Sequence, residues 1–396
     1  MKNRYESIAY GGLDVHYKFS HVTLRDAAGR VVAREKLDHR DRVGLRAQVG
    51  RWPQGTPLVL EASFGWSWLS DELAGAGLVP RLSNCYKVEQ MRKARGQVKT
   101  NEKDADLLSL LPAETGRWWE VWLAPPAVRD RREWLRYRAG LVAMQTETKN
   151  RIHAHFHRHG IFYEWADLFG GAGRRFLLEL CATGRHAGVL LPPGALGALR
   201  GQVRLLFALR AELAAVAVEL RSQLERDPLV QRLKTIPGFG LILSHVVVAE
   251  VGVLERFRSH KALASYAGLA PQAHDTGAAE AGRAPLGRHL AARGQRTLKW
   301  AFIEAAHGAV RHGGRWRQLY DRVTAGGTKD RQRGYIKVAR ELVKVVYVVW
   351  SKNVRYAETP GARPGRGAAP PPRRPSDSRS GTGQPCAPLV TASRGR

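Results

Sequence analysis

The sequence predicts an α/β domain at its N-terminal end, followed by a long helical arm and a mainly α-helical domain. Short apolar runs that alternate with helical stretches predict the α/β domain over residues 1–125. Apolar residues spaced three and four apart predict two long helices within residues 126–228. Apolar segments divided by glycine-rich turns predict the helical domain over residues 229–356.

The first domain is predicted from its apolar runs. Strands are expected at residues 8–13, 21–24, 31–33, 57–60 and 79–82. Helices are expected at residues 66–73 and 104–111. Because the strands come first as a hairpin or meander and then alternate with helices, they predict an α/β layer.

The arm is predicted from two apolar stripes of helical spacing. The first stripe comprises Trp134, Tyr137, Leu141, Met144, Thr148, Ile152 and Phe156. The second, within residues 196–226, comprises Leu199, Val203, Leu206, Leu213, Leu220 and Leu224. Since a glycine-rich connection joins the two helices, they are expected to form an antiparallel pair or a coiled-coil arm that acts as a spacer or a dimer handle.

A short motif at residues 235–240 (TIPGFG) precedes an apolar helix in the third domain. This pattern is typical of a helix-hairpin-helix element, in which glycines let backbone N–H groups approach a phosphate. Thr235, Gly238 and Gly240 are therefore candidates for nucleic-acid binding. The alternative is a tight turn between two helices that binds no ligand.

Positive charge dominates the composition. The 64 Lys and Arg residues outnumber the 35 Asp and Glu residues, which gives a net charge of +29 and an isoelectric point of about 10.8. This excess indicates a polyanionic partner, and nucleic acid is the commonest one. Lys99, Arg283 and Arg288 lie in basic segments that we expect to neutralise phosphates rather than to form a merely solvated surface.

The segment 357–396 differs in composition from the rest of the chain. It holds eight of the 20 prolines and seven arginines, and it has no aromatic residue. Because such a segment buries too little apolar surface to offset its chain entropy, a disordered basic tail is expected. The tail acts either as a loose electrostatic arm or as read-through sequence without a role.

Cysteine usage and hydropathy argue against two classes of protein. The three cysteines (Cys85, Cys181 and Cys386) are far apart in the sequence, so neither a disulfide framework nor a cysteine-based zinc site is expected. The N-terminus has no apolar signal core, and the most apolar stretch, residues 342–350, is too short for a membrane span. We therefore expect a cytoplasmic, nucleoid-associated protein with no membrane contact.

Three carboxylates are candidates for metal-dependent chemistry. Asp14 follows an apolar strand, Glu61 ends another, and Asp104 begins a helix. Carboxylates at neighbouring strand ends, joined by one from a packing helix, are how nucleases of the ribonuclease-H type hold two Mg²⁺ ions for phosphoryl transfer. The alternative for each is a solvated acid or a helix cap. His153, His155, His157 and His159 fall on different faces of a helix, which predicts exposed or nucleic-acid-contacting histidines instead of a metal centre.

Several motifs resemble those of one known protein family. Residues 12–14 (GLD), 60–63 (LEAS) and 99–105 (KTNEKDA) resemble the N-terminal half of the insertion-sequence one-ten family of transposases. Its C-terminal half resembles residues 236–240 (IPGFG), 249–252 (AEVG), 256–257 (RF), 265–271 (SYAGLAP) and 276–277 (TG). The resemblance covers about residues 8–353 in family order.

The resemblance implies a fold and an activity. The N-terminal domain would be RuvC-like, with a ribonuclease-H fold whose acids bind Mg²⁺, and the C-terminal domain would carry a hydroxyl nucleophile. The protein would act as a homo-oligomer, a dimer or a tetramer, on double-stranded DNA, and a structured guide RNA would direct it. Asp14 and Glu61 match the first two acids of the family pattern, and Asp104 matches the last.

Two positions depart from the family pattern. Asn101 stands where the family has its third acid, and its amide oxygen brings no charge to the metal. Thr276, followed by Gly277, stands where the family has a serine nucleophile, and its β-branch restricts the approach of the hydroxyl.

The resemblance predicts that the Thr276 hydroxyl attacks a DNA phosphodiester and forms a covalent protein–DNA intermediate. Asp14, Glu61, Asn101 and Asp104 are expected to hold Mg²⁺ for this reaction. Two alternatives are a decayed copy that only binds nucleic acid and a two-metal RuvC-like nuclease whose cleavage does not need Thr276.

Overall fold

The fold is that of a computed structural model, which describes residues 5–96, 101–113, 120–224, 226–270, 294–328 and 330–357. The chain divides into two compact units, Met1–Pro125 and Pro126–Arg396. The division of the second unit into an arm, a C-terminal domain and a tail remains a prediction, and the tail beyond residue 357 lies outside the described residues.

Six strands form the sheet of the first unit among the residues that the structure describes. They are β1 (Tyr10–Val15), β2 (Phe19–Arg25), β3 (Val31–Asp38), β4 (Pro57–Glu61), β5 (Val79–Ser83) and β6 (Glu120–Val121). The order across the sheet is β3-β2-β1-β4-β5-β6. β1 pairs with β2 antiparallel and with β4 parallel, and β4 pairs with β5 parallel. β1 therefore lies inside the sheet, with a parallel neighbour on one side only.

Helices accompany this sheet at α1 (Arg42–Val49), α2 (Trp66–Gly75), α3 (Cys85–Ala94) and α4 (Asn101–Leu110). The predicted α/β class is thus confirmed, although α1 and α3 were not expected. Both begin at a capping side chain: Asp41 accepts from the Gly44 N–H, and Asn84 accepts from the Lys87 N–H. These caps stabilise two short helices of eight and ten residues.

The two faces of the sheet are buried by different residues. Leu13, Leu58 and Leu60 belong to a core with α1 and α2, whereas Val59, on the opposite face of β4, packs with Leu107 and its neighbours on α4. Helix α4 also lies close against β1. A Cβ atom at Gly12 would stand 2.2 Å from the Ser109 backbone nitrogen, so only glycine admits the helix this close.

The second unit is helical apart from one two-stranded hairpin among its described residues. Its elements are α5 (Pro126–Arg158), α6 (Gly171–Thr183), β7 (Arg185–His186), β8 (Val189–Leu190), α7 (Pro193–Leu224), α8 (Pro228–Leu233), α9 (Leu241–Val251), α10 (His260–Tyr266), α11 (Arg296–His312), α12 (Gly314–Thr324) and α13 (Arg331–Ser351). This confirms the predicted helical character of the C-terminal part of the chain.

The long helices α5 and α7 pack antiparallel. Ile152 and Phe156, near the end of α5, share a core with Leu199 and Val203, near the start of α7. At the opposite ends of the two helices, Leu135 and Leu220 belong to another common core. Two residues of the predicted stripe, Tyr137 and Met144, are exposed instead, because a strict heptad stripe drifts around a straight helix.

The other helices of the second unit enclose the largest core. α11 and α13 pack together with α9, and the core includes the buried side chains of Phe302, Trp316, Leu342 and Val346. Within the described part of the chain, no helix has the length and apolar character that a membrane crossing requires.

Candidate functional site

Asp14 and Glu61 lie beside each other on neighbouring strands of the sheet. The parallel register pairs Leu13 with Leu60, so each acid is the next residue along its strand. Neighbouring strands are about 4.8 Å apart, and residues at equal register positions face the same side. Because Leu13 and Leu60 point into the core with α1 and α2, Asp14 and Glu61 face the side covered by α4.

Asp104 lies on α4, on the same side of the sheet as Asp14 and Glu61. Its side chain is buried, and the next residue, Ala105, has its carbonyl oxygen 2.8 Å from the place of a Cβ atom on Gly12. The part of α4 from Ala105 to Ser109 is thus held against β1 at Gly12, two residues before Asp14. The topology brings the three predicted acids to one face of one sheet.

Two further side chains adjoin these acids. Asp14 Oδ2 lies 2.9 Å from His16 Nε2. Cys85 begins α3 directly beyond β5, next to Glu61. Burial raises the pKa of the Cys85 thiol, and the negative charge and hydrogen bond of Glu61 raise it further. The carboxylate of Glu61 is therefore close enough to the Cys85 thiol to affect its pKa.

Asp106 has a different role from the other acids of α4. Its carboxylate accepts a hydrogen bond from Thr23 Oγ1 at 2.6 Å and a bidentate pair from Arg34. Burial raises the pKa of this carboxyl, but the bonds from Arg34 and Thr23 outweigh it and hold the pKa below its usual range. Asp106 thus fastens α4 to β2 and β3.

Several predicted site residues cannot be placed. Asn101 begins α4, but its side chain is outside the description. Lys99, Thr276, Arg283 and Arg288 lie outside the described residues altogether. Their predicted roles in metal binding, nucleophilic attack and phosphate contact remain predictions.

The donor atoms of Asp14 and Glu61 fit Mg²⁺ in chemical kind. Mg²⁺ in phosphoryl-transfer sites is usually held by one or two carboxylates together with substrate phosphates and water. Across the residues that the structure describes, no three His, Cys, Asp or Glu side chains are grouped so as to enclose a metal ion. The arrangement thus fits a site that a phosphate of the substrate would help to complete.

The motif at residues 235–240 forms a tight turn between α8 and α9. Gly238 has φ +89°, and a Cβ atom there would stand 2.0 Å from the Ala305 carbonyl oxygen of α11. Thr235 Oγ1 donates to the Arg232 carbonyl and accepts from the Tyr356 N–H. Both residues thus have internal structural roles, whereas the space around Gly240 is open.

A buried carboxylate that the sequence analysis did not single out joins α5 to the start of α11. Glu250 Oε2 accepts a hydrogen bond of 2.6 Å from Gln295 Nε2 and lies 3.4 Å from Arg132 Nε. The Gln295 N–H donates to the Tyr266 carbonyl at 2.8 Å. Hydrogen bonds from Gln295 to Glu250 and Tyr266 therefore connect the chain before residue 271 to the chain after residue 293. Thr276 lies between these two points in the sequence.

The four histidines at the end of α5 were expected to be exposed or to contact nucleic acid, but not all of them are exposed. His155 is buried, and its ring lies 4.7 Å from that of His159. His153 Nδ1 lies 2.8 Å from the Tyr163 hydroxyl oxygen. Tyr163 and Phe169, in the chain before α6, contact His153, which is a tertiary effect that helical spacing does not reveal.

Two of the residues that the sequence analysis did not select, Cys85 and Glu250, could have been recognised from the sequence. Cys85 follows the strand next to β4, so the rule that parallel strands end at one edge also applies to it. Glu250 interrupts the apolar run of α9, where an acid needs a buried partner. The contact of His16 with Asp14 follows from the β1–β2 turn, whose geometry the sequence alone does not specify.

Comparison with known proteins identifies two family matches. Residues 230–321 match the family described as transposase IS116/IS110/IS902, and residues 11–161 match the DEDD transposases of the IS110 type. The first match contains the turn at 235–240. The second contains Asp14, Glu61 and Asp104.

Individual relatives carry related names. A probable family 20 transposase of Pseudomonas aeruginosa is 30% identical over 176 residues, which cover 44% of this chain and 49% of that protein. An uncharacterised protein of insertion element IS110 of Streptomyces coelicolor is 30% identical over 144 residues, covering 36% and 34%. The transposase for insertion sequence element IS1111A of Coxiella burnetii is 27% identical over 264 residues, covering 64% and 66%.

The chain thus aligns with about half of the Pseudomonas relative and about a third of the Streptomyces relative. The two family matches are more extensive, since together they take in more than half of the chain and reach into both of its compact units. The chain belongs to the IS110 family of transposases.

Proposed function

We propose that the protein is a DNA transposase that cleaves and exchanges strands of double-stranded DNA by phosphoryl transfer. The observation that carries this proposal is the position of Asp14 and Glu61 at adjoining places on parallel strands, on the sheet face that also receives α4 with Asp104. A sheet with carboxylates at neighbouring strand ends and one on a packing helix supports a RuvC-like site of the ribonuclease-H type.

Asp14, Glu61 and Asp104, with the Asn101 amide, would hold Mg²⁺ in this site. The ion, when bound, supplies positive charge that stabilises the attacking and leaving oxygens of phosphoryl transfer. The chain's own contribution is to fix the carboxylates. β1 and β4 set the spacing of Asp14 and Glu61, and the bonds from Thr23 and Arg34 to Asp106 hold α4 in position.

The nucleophile in this proposal is the Thr276 hydroxyl. Its Oγ forms a bond to a DNA phosphorus, while the bond from that phosphorus to one deoxyribose oxygen breaks. The hydroxyl proton goes to solvent, and the released deoxyribose oxygen takes up a proton. The product is a phosphothreonyl link between protein and DNA that a second strand can resolve.

The partners follow from the charge and from the family. The net charge of +29 suits double-stranded DNA and a structured guide RNA, each of which requires phosphate neutralisation. We propose a homo-oligomer, a dimer or a tetramer, in which the α5–α7 pair forms a coiled-coil arm. We also place its action at the nucleoid in the cytoplasm.

A second candidate function is favoured by two residues. Asn101 and Thr276 stand where the family has an acid and a serine, and both changes weaken catalysis in physical terms. A copy that only binds nucleic acid keeps the basic charge and loses the chemistry. A RuvC-like nuclease without a covalent intermediate would keep cleavage and not need Thr276.

The test uses the full chain, a supercoiled plasmid that carries the joined element ends, RNA transcribed from the flanking DNA, and Mg²⁺. We expect denaturing gels to show a covalent protein–DNA adduct with the parent and with Thr276→Ser, but not with Thr276→Ala. Cleavage by Thr276→Ala without an adduct would support the nuclease instead. The absence of cleavage and adduct in the parent and in Thr276→Ser would support the binding-only copy.

A further inference from the structure

Two large aromatic side chains of the first unit are exposed beside the predicted acids. Tyr17 is 77% exposed and Phe64 is 74% exposed. Their ring centroids are 6.4 Å apart with an angle of 45° between the ring planes. Together, Tyr17 and Phe64 are called the aromatic platform below. Apolar rings that stand in water side by side are costly unless a partner covers them.

The aromatic platform lies at the same edge of the sheet as the acids. Tyr17 comes three residues after Asp14, in the turn that joins β1 to β2, and Phe64 comes three residues after Glu61, between β4 and α2. Because β1 and β4 are parallel neighbours, both connections leave the sheet at one edge. Each ring is thus tied to one predicted metal ligand by a short stretch of chain.

The turn that carries Tyr17 has a fixed backbone. The His16 N–H donates to the Phe19 carbonyl at 2.9 Å, and the His39 N–H donates to the Lys18 carbonyl at 2.9 Å. His39 Nδ1 lies 3.3 Å from the Tyr17 carbonyl oxygen. Burial lowers the pKa of His39, which keeps its ring neutral near neutral pH. The turn therefore presents Tyr17 without a large loss of entropy on binding.

The segment that carries Phe64 is also held in place. The Ala62 N–H donates to the Ser83 carbonyl at 3.0 Å, and Gly65, with φ +78°, starts α2 directly after Phe64. A Cβ atom at Gly65 would lie 3.6 Å from Val15 and 3.7 Å from Trp68, so the connection packs on the end of β1. The two rings are therefore mounted on adjoining, ordered connections.

Cations surround the aromatic platform in an open groove. Lys18, Arg40 and Arg42 line the groove together with Tyr17 and Phe64. Arg40 is paired with Asp38, and Arg42 is paired with Glu72 while its guanidinium stacks on Trp68 at 3.8 Å. Glu72 also pairs with Arg46. The described residues that line the groove include three cations and no acid, so the groove favours an anionic partner that also offers a flat apolar surface.

We propose that the aromatic platform stacks on an unpaired base of the DNA strand whose phosphate approaches Asp14 and Glu61. An unpaired base offers a π-face to the rings and a phosphate backbone to the cations, and aromatic residues beside a basic groove are a general way of binding single strands. A base within a duplex is already stacked on its neighbours, so its faces are not available to the rings. The inference rests on the proposed function and adds to it that the site selects DNA with an unpaired base over fully paired DNA.

The platform is tested by binding, in the absence of divalent metal so that no strand is cleaved. The probes are a short DNA duplex with one unpaired 2-aminopurine, the same duplex fully paired, and an RNA duplex with the same unpaired base. We expect the parent to bind the unpaired DNA on the order of tenfold more tightly than the paired DNA, with quenching of 2-aminopurine fluorescence.

The double variant Tyr17→Ala with Phe64→Ala should lose this preference and keep its affinity for the paired duplex, which reports that it is folded. The matched control is Phe162→Ala, since Phe162 is 79% exposed in the second unit. A parent without the preference, a double variant that retains it, or an equal preference for the unpaired RNA would overturn the proposal. Because no cleavage is measured, these outcomes do not depend on whether the protein is a transposase.

Discussion

The thiol of Cys85 reports on the charge of Glu61 at the predicted site. Burial is the main reason why the pKa of this thiol is raised, and the carboxylate of Glu61 adds to it. A raised pKa leaves less thiolate at a given pH, and thiolate is the form that an alkylating reagent attacks. The rate of alkylation of Cys85 is therefore expected to depend on residue 61.

We predict that Glu61→Gln accelerates the alkylation of Cys85 several-fold at about pH 8, because removal of the carboxylate charge lowers the pKa of the thiol. The measurement is the rate of iodoacetamide labelling at each cysteine by peptide mass spectrometry. Cys181 is the internal control, since burial raises its pKa while Arg200 and Arg204 lower it, and Glu61 is not among the causes. An unchanged or slower rate at Cys85 would contradict the contact.

For single residues, Asp14 and Glu61 could be identified from the sequence because each lies at the end of a predicted apolar strand. The ends of neighbouring parallel strands meet at one edge of the sheet whatever the side-chain contacts are. Sequence reasoning did not identify His16 as the neighbour of Asp14 or the engagement of Asp106 by Arg34, because such contacts depend on turn geometry and on a strand far away in the sequence. Exposure of Tyr17 and Phe64 was equally hidden, since sequence patterns lead us to expect aromatic rings to be buried.

Among the elements, the close packing of the α8–α9 turn on α11 depends on two glycines. A Cβ atom at Gly238 would stand 2.0 Å from the Ala305 carbonyl, and one at Gly308 would stand 2.8 Å from Gly238 Cα. Gly238 also has φ +89°, a conformation that side chains rarely adopt. The contact joins the α8–α9 turn to the core of the second unit.

We predict that Gly238→Ala lowers the free energy of unfolding by roughly 2 kcal/mol or more, because a methyl group there displaces α11 and strains the backbone. The control is Gly240→Ala in the same motif, where no atom lies within 4 Å of the added Cβ and φ is −86°. That variant should lose less than about 1 kcal/mol. Urea unfolding measures both, and equal losses would contradict this account of the motif.

Sequence patterns predicted the longer elements more securely than the short ones. The long helices α5 and α7 were expected because a stripe that repeats over many turns leaves little choice of structure. Helices α1 and α3 were missed because their stability comes from Asp41 and Asn84 as caps and from packing on the sheet. Strand β6 has two residues and exists only through its pairing with β5, which no local pattern specifies.

For the whole molecule, both the net charge and the family matches indicate a protein that acts on nucleic acid. The chain combines an α/β unit with a helical unit, and the two family matches lie in order along it. The net charge of +29 is a property of the full sequence, and a polyanionic partner follows from it without reference to any fold. The proposed chemistry, in contrast, rests on a few carboxylates of the first unit.

The most direct test of that chemistry is transposition in cells by the full chain, expressed together with its flanking element DNA. We predict that Asp14→Asn and Glu61→Gln each reduce new insertions by on the order of 100-fold or more, because each removes a charge that holds the catalytic cation. Glu6→Gln, at an exposed acid of the same unit, should insert at the parental frequency. Parental frequencies with Asp14→Asn and Glu61→Gln would contradict the assignment of this sheet edge as the catalytic site.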